Sequence, residues 1–155
     1  MTTIWIVGHS YVFWAKKQAE RWGEEQNLGF NKTNITWYGI RGLKCKQVIP
    51  FLESNSEKKH PDILILHCGG NDLGKYTGVA LERLLKDIFF KLMKMFPGTK
   101  LIFSNICQRQ NWMWSSQSAG TIEKSRKHVN KSVSAFLRDH SMSSIYHNNI
   151  RFFNN

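Results

Sequence analysis

The apolar positions along this chain change their spacing in a repeating order. Residues 3–8 (TIWIVG) form a short β-branched and aromatic run ending in glycine, the pattern of a buried strand. Residues 10–23 switch to helical spacing, with Tyr11, Ala15, Ala19 and Trp22 on one face and Gly23 as a stop. Residues 34–38 (NITWY) predict a second strand and residues 45–52 a short helix. The clearest strand is 62–67 (DILILH), entered from Pro61 and left through Gly69-Gly70. A long helix follows over 79–96, with Leu81, Leu84, Leu85, Ile88, Leu92 and Met93 at spacings of three and four, and Pro97-Gly98 ends it. Residues 100–106 (KLIFSNI) predict a fourth strand, 108–118 a polar loop, 121–139 a helix and 144–147 a weak fifth strand. Strand and helix alternate throughout. That order predicts an α/β domain whose parallel sheet carries helices on both faces.

The length of 155 residues suits one domain spanning 1–155, and 41% hydrophobic with 21% charged residues is ordinary globular composition. No repeat, low-complexity tract or proline-rich linker divides it. No apolar run approaches the ~20 residues of a membrane span, and MTTIWIVGHS does not read as a secretory leader. Cys45, Cys68 and Cys107 lie far apart without CxxC spacing, which points away from a disulfide scaffold or a zinc site. The expectation is an intracellular, cytoplasmic protein. The net charge of +11 is less ordinary, and it is lopsided. Residues 78–155 hold 12 basic and 4 acidic side chains, against 10 and 7 in residues 1–77. Such a half either presents a basic face to polyanions or merely solvates helix surfaces with residues such as Lys86, Lys91 and Lys94.

In a parallel α/β sheet the loops at the carboxyl ends of the strands carry the site. Here the first is Gly8-His9-Ser10, the second Gly39-Ile40-Arg41-Gly42 and the third Gly69-Gly70-Asn71-Asp72. Two roles fit Ser10: a helix N-cap, or a nucleophile exposed where the helix terminus favours negative charge. Gly42 fits a plain turn or a backbone N–H presented to a ligand. Asn71 fits a turn or an amide aimed at a developing oxyanion, with Asp72 capping the next segment. Their arrival together, after three successive strands, favours chemistry over coincidence.

This order, G-x-S, then a glycine loop, then G-x-N-D, resembles the SGNH (GDSL-type) hydrolases from Ile4 to about His147. The resemblance implies a flavodoxin-like three-layer α/β/α sandwich with strand order 2-1-3-4-5. It also implies hydrolysis of small carboxylic esters through an acyl-enzyme, with no metal or cofactor. Ser10 matches the nucleophile; the Ser10 and Gly42 N–H groups and the Asn71 side chain match the oxyanion hole. Domains resembling this family also occur in proteins of vertebrate mobile elements, where a basic surface could assist nucleic-acid association.

Two departures stand out. The usual G-D-S reads G-H-S, with His9 in place of the aspartate, and no D-x-x-H follows Ile145. The expectation is therefore a domain C-terminally short of its acid–base pair and last helix, with weak or absent turnover. Among substitutes, His147 at the end of the fifth strand is the least implausible base. His67 is expected to pack between sheet and helix, and His128 and His140 to lie at the surface or cap a helix. Trp112 and Trp114, with Arg109 nearby, are candidates for a pocket wall or for a small satellite core. Gly8-His9-Ser10 lacks the spacing of a dinucleotide or P-loop fingerprint, so no nucleotide cofactor is expected. The rival readings are a non-catalytic module that contacts nucleic acid through the basic half, and a purely structural or dimerising domain.

Overall fold

The structure is a computed structural model that describes residues 1–23, 26–55, 59–112 and 115–150. Its elements run β1 (Thr2–Gly8), α1 (Ser10–Arg21), β2 (Thr33–Gly39), a 3-10 turn (Cys45–Gln47), α2 (Val48–Glu53), β3 (Ile63–His67), α3 (Gly78–Met95), β4 (Lys100–Ser104), α4 (Ala119–Asp139) and β5 (Ser143–Ile145). All neighbouring strands pair in parallel, in the order β2-β1-β3-β4-β5. This is the expected topology. Among the described residues no helix is long and apolar enough to cross a membrane.

The boundary differences have local causes. The expected helix over 45–52 divides into the 3-10 turn and α2. Pro50 then falls in the first turn of α2, where a missing N–H leaves no helix bond unmade. β4 stops at Ser104 because the Asn130 side chain of α4 takes both backbone groups of Ile106: Oδ1 accepts from its N–H at 2.8 Å and Nδ2 donates to its carbonyl at 3.0 Å.

Alternation along the strands gives the sheet two unequal faces. Trp5, Val7, Leu64, Leu66, Leu101 and Phe103 are buried on one face, beneath Leu81, Leu85, Phe89 and Leu92 of α3 and Val129, Val133 and Leu137 of α4. Each fully buried side chain of this kind stabilises the fold by ~1.5–3 kcal/mol. The opposite face carries Ile4, Ile6, Ile63, Ile65 and Ile102, all only half-buried. Among the described residues α1 alone lies on it, over β1 and β2.

Two glycines set the seat of α1. A β-carbon on Gly39 would lie 2.4 Å from the Phe13 backbone nitrogen, and one on Gly8 would lie 2.6 Å from Val12 Cγ2. This close approach fixes the rotation of the helix. Val12 and Ala19 turn inward, whereas Tyr11, Ala15 and Trp22 of the expected face are exposed. Gly39→Ala is expected to lower stability by ~1–3 kcal/mol, because backbone must move to admit one methyl group. Gly120→Ala, in open space within α4, should raise it by ~0.5–1 kcal/mol. Urea midpoints of the two variants moving in the same direction would contradict this account.

Candidate active site

Three loops meet at the carboxyl edge of β2, β1 and β3, where Gly39, Gly8 and His67 share one row of the register. The backbone ties them together: Ile40 N–H donates to the Gly8 carbonyl at 2.9 Å, and His9 N–H to the His67 carbonyl at 3.3 Å. His9 is 1% exposed, and its Nδ1 accepts from Tyr11 N–H at 3.3 Å. The N-cap of α1 is therefore His9 and not Ser10. Ser10 is the first helical residue, half-buried, and its hydroxyl has no hydrogen-bond partner among the described residues. Its N–H belongs to the first turn, where amides lack intrahelical acceptors.

The second loop turns tightly, with Leu43 N–H donating to the Ile40 carbonyl at 3.1 Å. Gly42 adopts φ +75°, a conformation that excludes most side chains although the space around it is open. The third loop reaches across to hold the second. Asn71 Nδ2 donates to the Leu43 carbonyl at 3.0 Å, and Asp72 Oδ2 accepts from Cys45 N–H at 3.1 Å. Asp72 thus caps the 3-10 turn of the neighbouring loop, whereas the sequence pattern suggested its own following segment. Burial pushes the Asp72 carboxyl up, against the opposing pull of the Cys45 N–H and of Lys44 and Lys75.

Arg109 completes this wall. Its Nη2 donates to Asn71 Oδ1 at 3.2 Å, and its guanidinium lies 5.5 Å from the ring centroids of both Tyr11 and Trp112. A β-carbon on Gly70 would lie 2.6 Å from that Nη2, so a side chain there would displace the guanidinium from this position. With the amide oxygen engaged by Arg109 and one N–H by Leu43, the second N–H of Asn71 remains for a ligand. The resulting cavity of about 230 Å³ is lined by Gly42, Gly70, Asn71, Arg109 and Trp112, with Lys44 and Lys75 at its edge. Ser10 does not line it; its neighbour Tyr11 touches the shared Arg109. Trp114 lies outside the described residues.

A polar row not anticipated from the sequence crosses the same edge on the α1 face. His67 Nδ1 lies 2.9 Å from Ser104 Oγ, which lies 2.8 Å from His147 Nε2. The His67 ring meets His9 at 4.7 Å and stacks on Tyr11 at 5.8 Å between centroids. Desolvation, then the neighbouring His67 and Arg109 charges, lowers His9 to about 3; desolvation, then His147, lowers His67 to about 4. Burial also lowers His147. All three rings are held toward the neutral form. The period-two register of β3 and β4 carried this signal, since Ile65 pairs with Ile102 and the next residues on that face are His67 and Ser104. Elsewhere, His128 Nε2 lies 2.5 Å from Glu82, which also accepts from Lys86 and Ser132, and His140 Nδ1 lies 2.7 Å from the Phe136 carbonyl. Three cations of the C-terminal half, Arg126, Lys127 and Lys131, line a separate cleft of about 600 Å³, where Arg126 is paired with Glu123.

A parallel α/β sheet carries its ligand sites at the carboxyl ends of its strands, where the glycine, serine and asparagine loops of this chain stand. Solved structures carry the comparison further. The chain is similar to a member of the lipolytic G-D-S-L family from Veillonella parvula, with TM-score 0.74 and 19% identity over 94% of this chain and 77% of that one. It is also similar to a GDSL-like lipase from Bacteroides thetaiotaomicron (TM-score 0.71, 14% identity, covering 93% and 67%). A psychrotrophic esterase from Pseudoalteromonas, solved inhibited by monoethylphosphonate, matches at TM-score 0.65 and 16% identity, covering 94% and 76%. No family model matches the sequence, and no curated protein does. The chain has the fold of the SGNH (GDSL-type) hydrolases.

Proposed function

We propose that this chain is a serine hydrolase of small carboxylic esters, with Ser10 as nucleophile. The observation that carries the reading is the Asn71 amide, held between the Leu43 carbonyl and Arg109 beside Gly42, with one N–H left over. Attack of Ser10 Oγ on an ester carbonyl places negative charge on the carbonyl oxygen. The Ser10 and Gly42 N–H groups and Asn71 Nδ2 supply donors for that oxyanion. Collapse expels the alcohol and leaves an acyl-serine, which water then hydrolyses to the acid.

The proton of Ser10 is the weak point. His9 Nδ1 is engaged by Tyr11, His67 Nδ1 and His147 Nε2 by Ser104, and among the described residues no histidine is hydrogen-bonded to the Ser10 hydroxyl. Turnover by this chain is accordingly slow, since a positioned base is worth ~10²–10⁴-fold. Hydrolysis of p-nitrophenyl acetate, with intact-mass detection of a phosphonate ester on Ser10, tests the reading. Ser10→Ala is expected to bring hydrolysis down to the buffer rate and to abolish the adduct. Equal hydrolysis by wild type and Ser10→Ala would remove the proposal.

A further inference from the structure

Apart from the Ser10 site, the strand ends bring together a second set of chemistry-bearing groups. His67 ends β3, Cys107 lies just beyond β4 and His147 just beyond β5. Each is 40 residues from the next in sequence, yet one ligand atom from each lies within 4.8 Å of the others. We propose that His67, Cys107 and His147 bind a borderline divalent cation of the zinc type. The assignment does not depend on the chemistry of Ser10.

The geometry is close to what such an ion needs. Zn–N bonds of ~2.0–2.1 Å and Zn–S bonds of ~2.3 Å put tetrahedral ligand atoms roughly 3.3–3.6 Å apart. Contraction from 4.8 Å is within reach of side-chain rotation. Two imidazoles and a thiol select zinc-like ions over magnesium or calcium, which take oxygen donors.

Ser104 is placed as a second-shell support. Its hydroxyl lies within 2.9 Å of a nitrogen on both rings, and a hydroxyl oxygen has lone pairs to accept from both. With N–H on His67 Nδ1 and His147 Nε2, the other nitrogen of each ring keeps its lone pair for a metal, the usual arrangement of ligating histidines. His67 Nε2 fits this role: it is buried, in a residue 6% exposed, and has no hydrogen-bond partner among the described residues. A buried polar atom left so is costly unless a ligand takes it.

Charge sets the strength of the site. Cation binding displaces the Cys107 proton, so one proton is released per ion. Burial holds that thiol up while Arg126 and Arg109 draw it down. The same two arginines repel a dication, although Arg126 is paired with Glu123. Three ligands leave the fourth tetrahedral position open. His67, Ser104, Cys107 and His147, together with Tyr11 and Ile65, line an apolar pocket of about 200 Å³ with room for a fourth, non-protein ligand. That is the pattern of an exchangeable site holding water or a small anion, not of a closed structural one.

Cobalt(II) is the probe of choice, because thiolate ligation gives a near-ultraviolet charge-transfer band and tetrahedral geometry gives intense visible bands. Chelator-stripped protein titrated with Co²⁺ is expected to develop both, to one equivalent, and Zn²⁺ to displace them. Cys107→Ser should abolish the charge-transfer band. His147→Ala and Ser104→Ala should weaken Zn²⁺ binding by ~10–100-fold, with unchanged far-ultraviolet circular dichroism. Cys45→Ser, which removes a thiol 3.5 Å from that of Cys68, should leave the bands intact. No band in the wild type, a band that survives Cys107→Ser, or one lost in Cys45→Ser would each overturn the assignment.

Discussion

Between pH 6.5 and about 4.5, the metal-free protein is expected to lose about 5 kcal/mol of folding stability through two histidines alone. His9 and His67, 1% and 6% exposed, have folded-state values near 3 and 4, against 6.5 when unfolded. Below 6.5 the unfolded chain takes up protons that the folded chain refuses. Stability therefore falls as pH falls, by ~1.4 kcal/mol per proton per pH unit, and the loss levels off below the folded-state values. The groups facing these rings do not rescue them: Arg109 and His147 lower them further, and the hydrogen bond to Ser104 raises His67 by less than burial lowers it. Asp72 acts in the opposite sense, since burial raises its carboxyl and its protonation favours the folded state. Against a typical total of ~5–15 kcal/mol, the histidine effect alone brings the domain close to unfolding. Urea melts across this range, with chelator present, measure it. His9→Asn keeps an N-cap acceptor and should remove about half of the slope. A urea midpoint that stays level from pH 6.5 to 4.5 would refute the account.

Asn71→Ala is expected to slow acylation of Ser10 by ~10²–10³-fold, equivalent to ~2.7–4 kcal/mol of barrier, the usual cost of one oxyanion donor. The loss should appear in the rate of the covalent step and much less in KM, because the donor acts on charge that develops only in the transition state. A structural effect comes with it: the Leu43 carbonyl loses a donor and Arg109 an acceptor, for ~0.5–1.5 kcal/mol of stability each. Asn71→Asp restores the acceptor for Arg109 but not the donor to Leu43, has no N–H for the oxyanion, and should be as slow as the alanine variant. Labelling by a p-nitrophenyl phosphonate, followed by intact mass at fixed reagent concentration, reads the covalent step directly. Asn71→Ala labelled within about threefold of wild type would mean that Asn71 serves only the loop.

The strands and the three loops were legible because their signals are local. TIWIVG and DILILH are apolar runs ended by turn residues, and a parallel sheet follows from their alternation with helical spacing. The loops after β1, β2 and β3 stand where their sequence placed them. The face of α1 was legible only in part: Ala19 is buried as expected, but Val12 and not Tyr11 turns inward, since the weak amphipathic pattern yields to the backbone seat on Gly8 and Gly39. The cap was misread for a related reason. Serine is the common N-cap, yet here the buried His9 side chain folds back onto Tyr11 N–H. Arg109 was visible only as a cation near two tryptophans; its hold on Asn71 joins residues 38 positions apart.

By itself the sequence determined the class of fold and the three strand-end loops, since hydrophobic period and turn chemistry are properties of neighbouring residues; the strand order came from the resemblance of its motifs to a known family. Only the tertiary structure decided which helix rotation seats α1, which atom orients the Asn71 amide, and that His67, Ser104, Cys107 and His147 meet. Cysteine spacing pointed away from a zinc site because local spacing is the only distance a sequence displays. Parallel strands bring their ends together whatever the length of the crossovers between them, so residues 40 positions apart become ligand-distance neighbours.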